Sequence, residues 1–177
     1  MGPVTISGYL AGYPANLTEQ VQGLIAAGRI GGILRGKYPR AHTVRSDKAL
    51  YDYVQALKSD HLRNAAPLSR VAFDGKLQEI RNALGTHTRI SRVQGGKLKA
   101  KREIHVAAIF KDMPEDFLRM IVVHELAHLK EPNHDKAFYQ LCCHLEPDYH
   151  QIEFDVRVYL SYLEAGGDPL WSPTMPI

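Results

Sequence analysis

Five residues carry the densest chemical signal in the chain: His124-Glu125-Leu126-Ala127-His128, the H-E-x-x-H pattern. On a helix, residues four apart lie one turn above each other, so both imidazoles leave the same face and can bind one tetrahedral metal ion. Glu125 is turned about 100° round the helix from His124. That offset suits a general base beside an activated water rather than a ligand. His134 follows His128 by six residues, beyond Glu131-Pro132. The proline must break the helix, and the turn it forces can return a third imidazole to the metal. This is the third-ligand spacing of metzincins, with Glu131 where their turn has glycine. His144, His150 and Glu153 are rival third ligands from the segments that follow. Three imidazoles leave a fourth position for water, so the expected chemistry is hydrolysis with about one zinc ion per chain. Cys142 is a possible thiolate ligand, but its apolar neighbours Phe138 and Leu141 mark it as a buried core thiol.

The substrate contacts are less sharply written. Arg89, Arg92, Lys97, Lys99, Lys101 and Arg102 surround Gly95-Gly96 with no acidic residue before Glu103. Paired glycines expose backbone N–H groups, and Arg92, Lys97 and Lys99 would add charge for a phosphate or an acidic substrate. The competing reading is a solvated sheet edge whose lysines block strand pairing between molecules. Tyr149 and His150, with Arg157, are candidate donors to a developing oxyanion by their place downstream of the metal motif.

Composition bounds the setting. The 177 residues are 45% apolar and 23% charged, a globular balance, and suit one domain spanning 1–177. A net charge of +3 gives only weak support to nucleic-acid binding. Two adjacent cysteines, Cys142 and Cys143, exclude a secreted disulfide framework. No apolar run approaches the length of a membrane span, and residues 1–11 carry no secretory pattern, so a cytoplasmic protein is expected.

The elements that must position the motif read as two sections and a tail. Residues 8–85 are mainly helical. Asn16-Leu17-Thr18-Glu19 fits a capping box ahead of Val21, Leu24 and Ile25, and Gly28 can end that helix. A second helix is expected over 47–62 behind Ser46-Asp47, and a third over 77–84. Residues 86–165 should hold a β-hairpin, with strands at 86–93 and 103–110, and then the metal-binding helices. The first of those helices starts near Pro114 and stops at Pro132, and Asn133 caps the next through about Leu145. Pro147 opens the last, which Gly166 terminates. Residues 166–177 are expected to be an irregular tail.

From about residue 86 to 163 the chain resembles the YgjP-like metallopeptidase family. The likeness lies in the stretch from Ser91-Arg92-Val93-Gln94-Gly95-Gly96 to Lys101, in Val122-Val123-His124-Glu125-Leu126-Ala127-His128-Leu129, in Asn133-His134 and Phe138, and in Glu146-Pro147-Asp148-Tyr149-His150. The resemblance implies a bacterial cytoplasmic zincin of α+β fold, related to SprT-like proteins, with the active-site helix packed on a small antiparallel sheet. It implies zinc on His124, His128 and His134, with Glu125 as catalytic base. Many members carry an Arg-Trp-Gly-Ser-Cys box ahead of the metal helix, which this chain replaces with the Ser91 to Gly96 stretch. Three functions follow in order: a zinc metallopeptidase acting on peptides or an unfolded protein segment, a metal-dependent nucleoside triphosphate pyrophosphatase, and a noncatalytic binding module with structural zinc. An intact Glu125 counts against the third, because a structural site has no use for a base.

Overall fold

The computed structural model describes residues 8–75 and 102–173. At its centre lies α4 (Glu115–Ala127), whose Phe117, Leu118, Met120, Ile121, Val122, Val123, Leu126 and Ala127 are all buried. A helix apolar round most of its circumference must be enclosed. It packs against β2 (Glu103–Ala107), α5 (Lys136–Leu145) and α6 (Tyr149–Glu164). Ahead of these stand α1 (Ala15–Ala26), α2 (Ile30–Lys37), α3 (Asp47–His61) and β1 (Arg70–Asp74). Short 3-10 turns occupy Gly8–Leu10 and Ala108–Asp112. Helices gathered on a small sheet make the fold α+β.

The sheet corrects one expectation. β1 and β2 run parallel, in register from Arg70 opposite Glu103 to Asp74 opposite Ala107, where the family resemblance implies an antiparallel sheet. Parallel neighbours cannot be joined by a tight turn and require a long crossover, which here is the chain between 74 and 103. β2 is also shorter than the 103–110 expected, because residues 108–112 wind into the 3-10 turn. The 77–84 helix, the 86–93 strand, and Arg92, Lys97 and Lys99 lie outside the described residues. α3 packs on β1, and the two are tied where the Phe73 N–H donates to Asp47 Oδ1 at 2.9 Å.

Helix ends show which caps the sequence indicates correctly. Ser46 Oγ accepts from the Ala49 N–H at 3.1 Å, as its place before α3 predicts. α1 instead begins one residue before Asn16, with Pro14 at its N-cap and no side-chain cap. α5 is capped by Asp135, not Asn133: Asp135 Oδ1 accepts from the Phe138 N–H at 3.0 Å. α6 ends as expected at Gly166, which has φ of 97°. Its N–H and that of Gly167 bond back to the Leu163 and Tyr162 carbonyls, closing a Schellman turn.

The described part of the tail, 166–173, forms no helix or strand but is anchored. Leu170 and Trp171 are buried, and Trp171 Nε1–H donates to the Tyr38 carbonyl at 2.6 Å. The Trp171 indole also meets the Phe117 and Tyr159 rings edge-on, so this segment packs against both α4 and α6. Among the described residues no helix is long and apolar enough to cross a membrane.

Candidate metal centre

α4 ends at Ala127, earlier than Pro132 alone would require. The chain then tightens: the Lys130 and Glu131 N–H groups both donate to the Ala127 carbonyl, at 3.1 and 2.9 Å. No described non-glycine residue has positive φ, so Glu131 makes this turn without the left-handed conformation that would call for glycine. Pro132 then extends the chain, Asp135 starts α5, and His134 sits between them.

The result is a triangle of ring nitrogens. His124 Nε2 and His128 Nε2 are 3.2 Å apart, His128 Nε2 and His134 Nε2 2.9 Å, and His134 Nε2 and His124 Nε2 3.2 Å. A tetrahedral zinc with bonds of about 2.0–2.1 Å has nitrogen–nitrogen edges of about 3.4 Å, so the triangle matches within a few tenths of an ångström. His128 Nδ1 lies 3.1 Å from the Glu131 carbonyl oxygen, which can only accept. A neutral imidazole has one N–H, so His128 Nε2 carries a lone pair into the triangle. His124 Nδ1 lies 2.8 Å from Tyr149 Oη. Converging lone pairs repel each other unless a cation lies among them, so these residues fit a metal ion. The three histidines form the group that could hold one among the described residues.

Phe138 forms the apolar floor. Its ring stacks on His128 at 4.5 Å and 29°, and stands 5.0 Å from His124 and 4.9 Å from His134. Because Asp135 fixes the first turn of α5, the cap that orients Phe138 also fixes the chain next to His134. His124 is buried, whereas His128 and His134 are half-buried, so the centre faces outward on their side. Glu125 is half-buried too, and desolvation pushes its carboxyl up to about 7, where it can take a proton near neutral pH. A cation at the triangle acts the other way.

The other residues singled out from sequence fall elsewhere. Tyr149 is fully buried, with its hydroxyl on the Nδ1 edge of His124, so it is not placed as a donor to a substrate oxyanion. His150 is exposed, its ring 5.5 Å from Tyr139 and 5.6 Å from Tyr149. Of the rival ligands, His144 stands near His61 at 6.1 Å, and Glu153 pairs with Arg157 at 2.9 Å. Cys142 is buried, and desolvation raises its thiol to about 12, as expected for a core residue. The sequence reading missed Phe138 as a floor for all three imidazoles. An aromatic four residues after His134 was the available signal.

The family described as YgjP-like, metallopeptidase domain matches residues 72–157, which contain the whole triangle and Glu125. The chain belongs to that family, and its fold is zincin-like. A curated relative, the UTP pyrophosphatase of Escherichia coli (strain K12), is 59% identical over 158 residues, covering 89% of this chain and 95% of the relative. No solved structure matches the chain.

Proposed function

We propose that this protein is a zinc-dependent phosphoanhydride hydrolase acting on nucleoside triphosphates, with UTP as the first candidate substrate. The observation that carries the reading is a three-histidine centre with Glu125 beside it in the motif, in a chain 59% identical to a relative named UTP pyrophosphatase. Sequence alone ranks a peptidase first, because H-E-x-x-H is a signature of metallopeptidases. Identity at this level over nearly the full relative favours the nucleotide reading instead.

His124, His128 and His134 would hold the metal, which supplies Lewis acidity toward the substrate oxygens when bound. Glu125 takes a proton from the attacking water. The water oxygen bonds to phosphorus, the anhydride P–O bond breaks, and the leaving phosphate departs with the electron pair. Phe138 keeps solvent from the inner side of the imidazoles.

Incubating zinc-loaded protein with a panel of nucleoside triphosphates, and separately with a peptide mixture, tests the assignment. Release of pyrophosphate or phosphate from UTP, absent in Glu125→Gln, is the expected result. Peptide cleavage with no nucleotide turnover would restore the peptidase reading.

A further inference from the structure

The first turn of α6 divides its two aromatic residues. Tyr149 is fully buried, whereas His150, about 100° further round the helix, is exposed. α5 makes a similar division: Phe138 is buried beneath the three imidazoles, and Tyr139, next in the chain, is half-buried. The two outward rings meet. Tyr139 and His150 have ring centres 5.5 Å apart at 34°, and Tyr139 lies 6.3 Å from His134 at 36°. The buried rings of Phe138 and Tyr149 brace Tyr139 at 5.1 and 6.4 Å. Each separation is within the range of offset or edge-on aromatic contact, about 4.5–7 Å, so the rings hold one another in place.

This run of rings starts at a candidate metal ligand, His134, and ends in solvent at His150. Its distance from the centre suits a nucleotide. Six single bonds of about 1.5 Å join a pyrimidine ring to the phosphorus nearest its ribose, so base and phosphorus lie within about 9 Å of each other. Tyr139 stands one ring contact from His134, and a base laid on it keeps that phosphorus within reach of a metal on the triangle. Tyrosine and histidine rings both serve as stacking partners for unpaired bases, since every base presents a π-face.

We infer that Tyr139 and His150 form a stacking ledge for the nucleobase of the substrate, one ribose away from the three-histidine centre. The inference rests on the nucleotide reading above and adds to it the place of the base. Stacking recognises a flat ring and not its edge. The ledge therefore adds affinity for any nucleoside triphosphate over an inorganic polyphosphate, without selecting uracil.

Steady-state kinetics of the zinc-loaded full chain with UTP test the ledge, with inorganic tripolyphosphate, which carries no base, as competitor. Wild type that turns over no nucleoside triphosphate would remove the nucleotide reading itself. Given wild-type turnover, Tyr139→Leu is expected to raise KM for UTP about 5- to 100-fold with kcat retained, and His150→Ala to raise it less. Tyr139→Phe keeps a ring and should keep the wild-type KM. Inhibition by tripolyphosphate and zinc content should be the same in all four proteins. An unchanged KM in Tyr139→Leu would overturn the ledge. An equal loss of tripolyphosphate inhibition would overturn it too, by placing the damage at the phosphates, and so would a KM in Tyr139→Phe as high as in Tyr139→Leu, by assigning the effect to the hydroxyl. Should Tyr139→Leu not fold, an unchanged KM in His150→Ala, a substitution at an exposed position, overturns the ledge equally.

Discussion

His128 Nδ1 stands 3.1 Å from the carbonyl oxygen of Glu131, three residues further along the chain. One hydrogen bond therefore links the turn that ends α4 to the tautomer of a candidate metal ligand. The same turn sends the chain on to His134, so ligand geometry and helix termination have a single cause. A glycine is not needed there, since the turn closes with negative φ throughout.

Zinc should stabilise the protein, because a metal bound by the folded triangle and not by the unfolded chain adds about 4 kcal/mol at a thousandfold excess over Kd. Wild type is expected to hold about one zinc per chain and to lose melting temperature on chelation. His124→Ala and His128→Ala should each abolish both effects. Full zinc content in both variants, measured by metal analysis after dialysis, would remove the centre. Full zinc in His134→Ala alone would reassign the third ligand.

Glu125→Gln separates binding from chemistry. Glutamine keeps the shape and can hydrogen-bond water, but it cannot take a proton. Zinc content and melting temperature should stay at wild-type values while turnover falls by about 100-fold or more. Wild-type turnover in this variant would end the role given to Glu125.

The legible part of the site was the part set by spacing along one helix and its following turn. His124, Glu125, His128 and His134 need only the helical period and a proline to be brought together. The inward face of α6 was harder, because Tyr149, Glu153 and Arg157 at four-residue spacing look like an ordinary solvated stripe until packing turns them inward. α2 was missed for a local reason. Its Ile30-Gly31-Gly32-Ile33-Leu34-Arg35-Gly36-Lys37 carries three glycines, which read as breaks. Buried Ile30 and Leu34 offset that weakness, and a side chain at Gly31 would press on Leu170 at 3.1 Å, so the glycine there permits the tail to pack. The parallel pairing of β1 with β2 was invisible because it joins segments about thirty positions apart, and no local signal encodes such a partner.

His42 gives the fold a pH dependence apart from the metal. Its Nε2–H donates to the Phe110 carbonyl at 2.6 Å, and its Nδ1 accepts from the Val44 N–H at 3.0 Å, an arrangement that only the neutral ring can make. Burial pushes its pKa below the usual 6.5, against the opposing pull of the Phe110 carbonyl. Once pH drops below 6.5, the unfolded chain binds a proton there that the folded protein refuses, so stability is full above that value and falls as pH falls toward the folded pKa. Urea unfolding at several pH values should show this loss in wild type and a shallower one in His42→Gln, with the variant less stable at neutral pH. Parallel pH profiles for the two proteins would show that His42 does not titrate in this way.

The basic run is where nucleotide and peptide chemistry part. A triphosphate brings several negative charges to the centre, and one divalent zinc held by three neutral histidines would offset only part of them. Lys97, Lys99, Lys101 and Arg102 are the nearest cationic run in the sequence to the metal helix. If they hold phosphates, replacing all four with glutamine should raise KM for UTP and flatten its dependence on salt, because exposed ionic contacts are screened over about 10 Å at 0.1 M. Zinc content should not change, since none of the four is a ligand. A sheet-edge role predicts the opposite pattern, with lower solubility and unaltered turnover. Nucleotide kinetics across a salt series, run on both proteins with zinc content and melting temperature measured alongside, decide between the two.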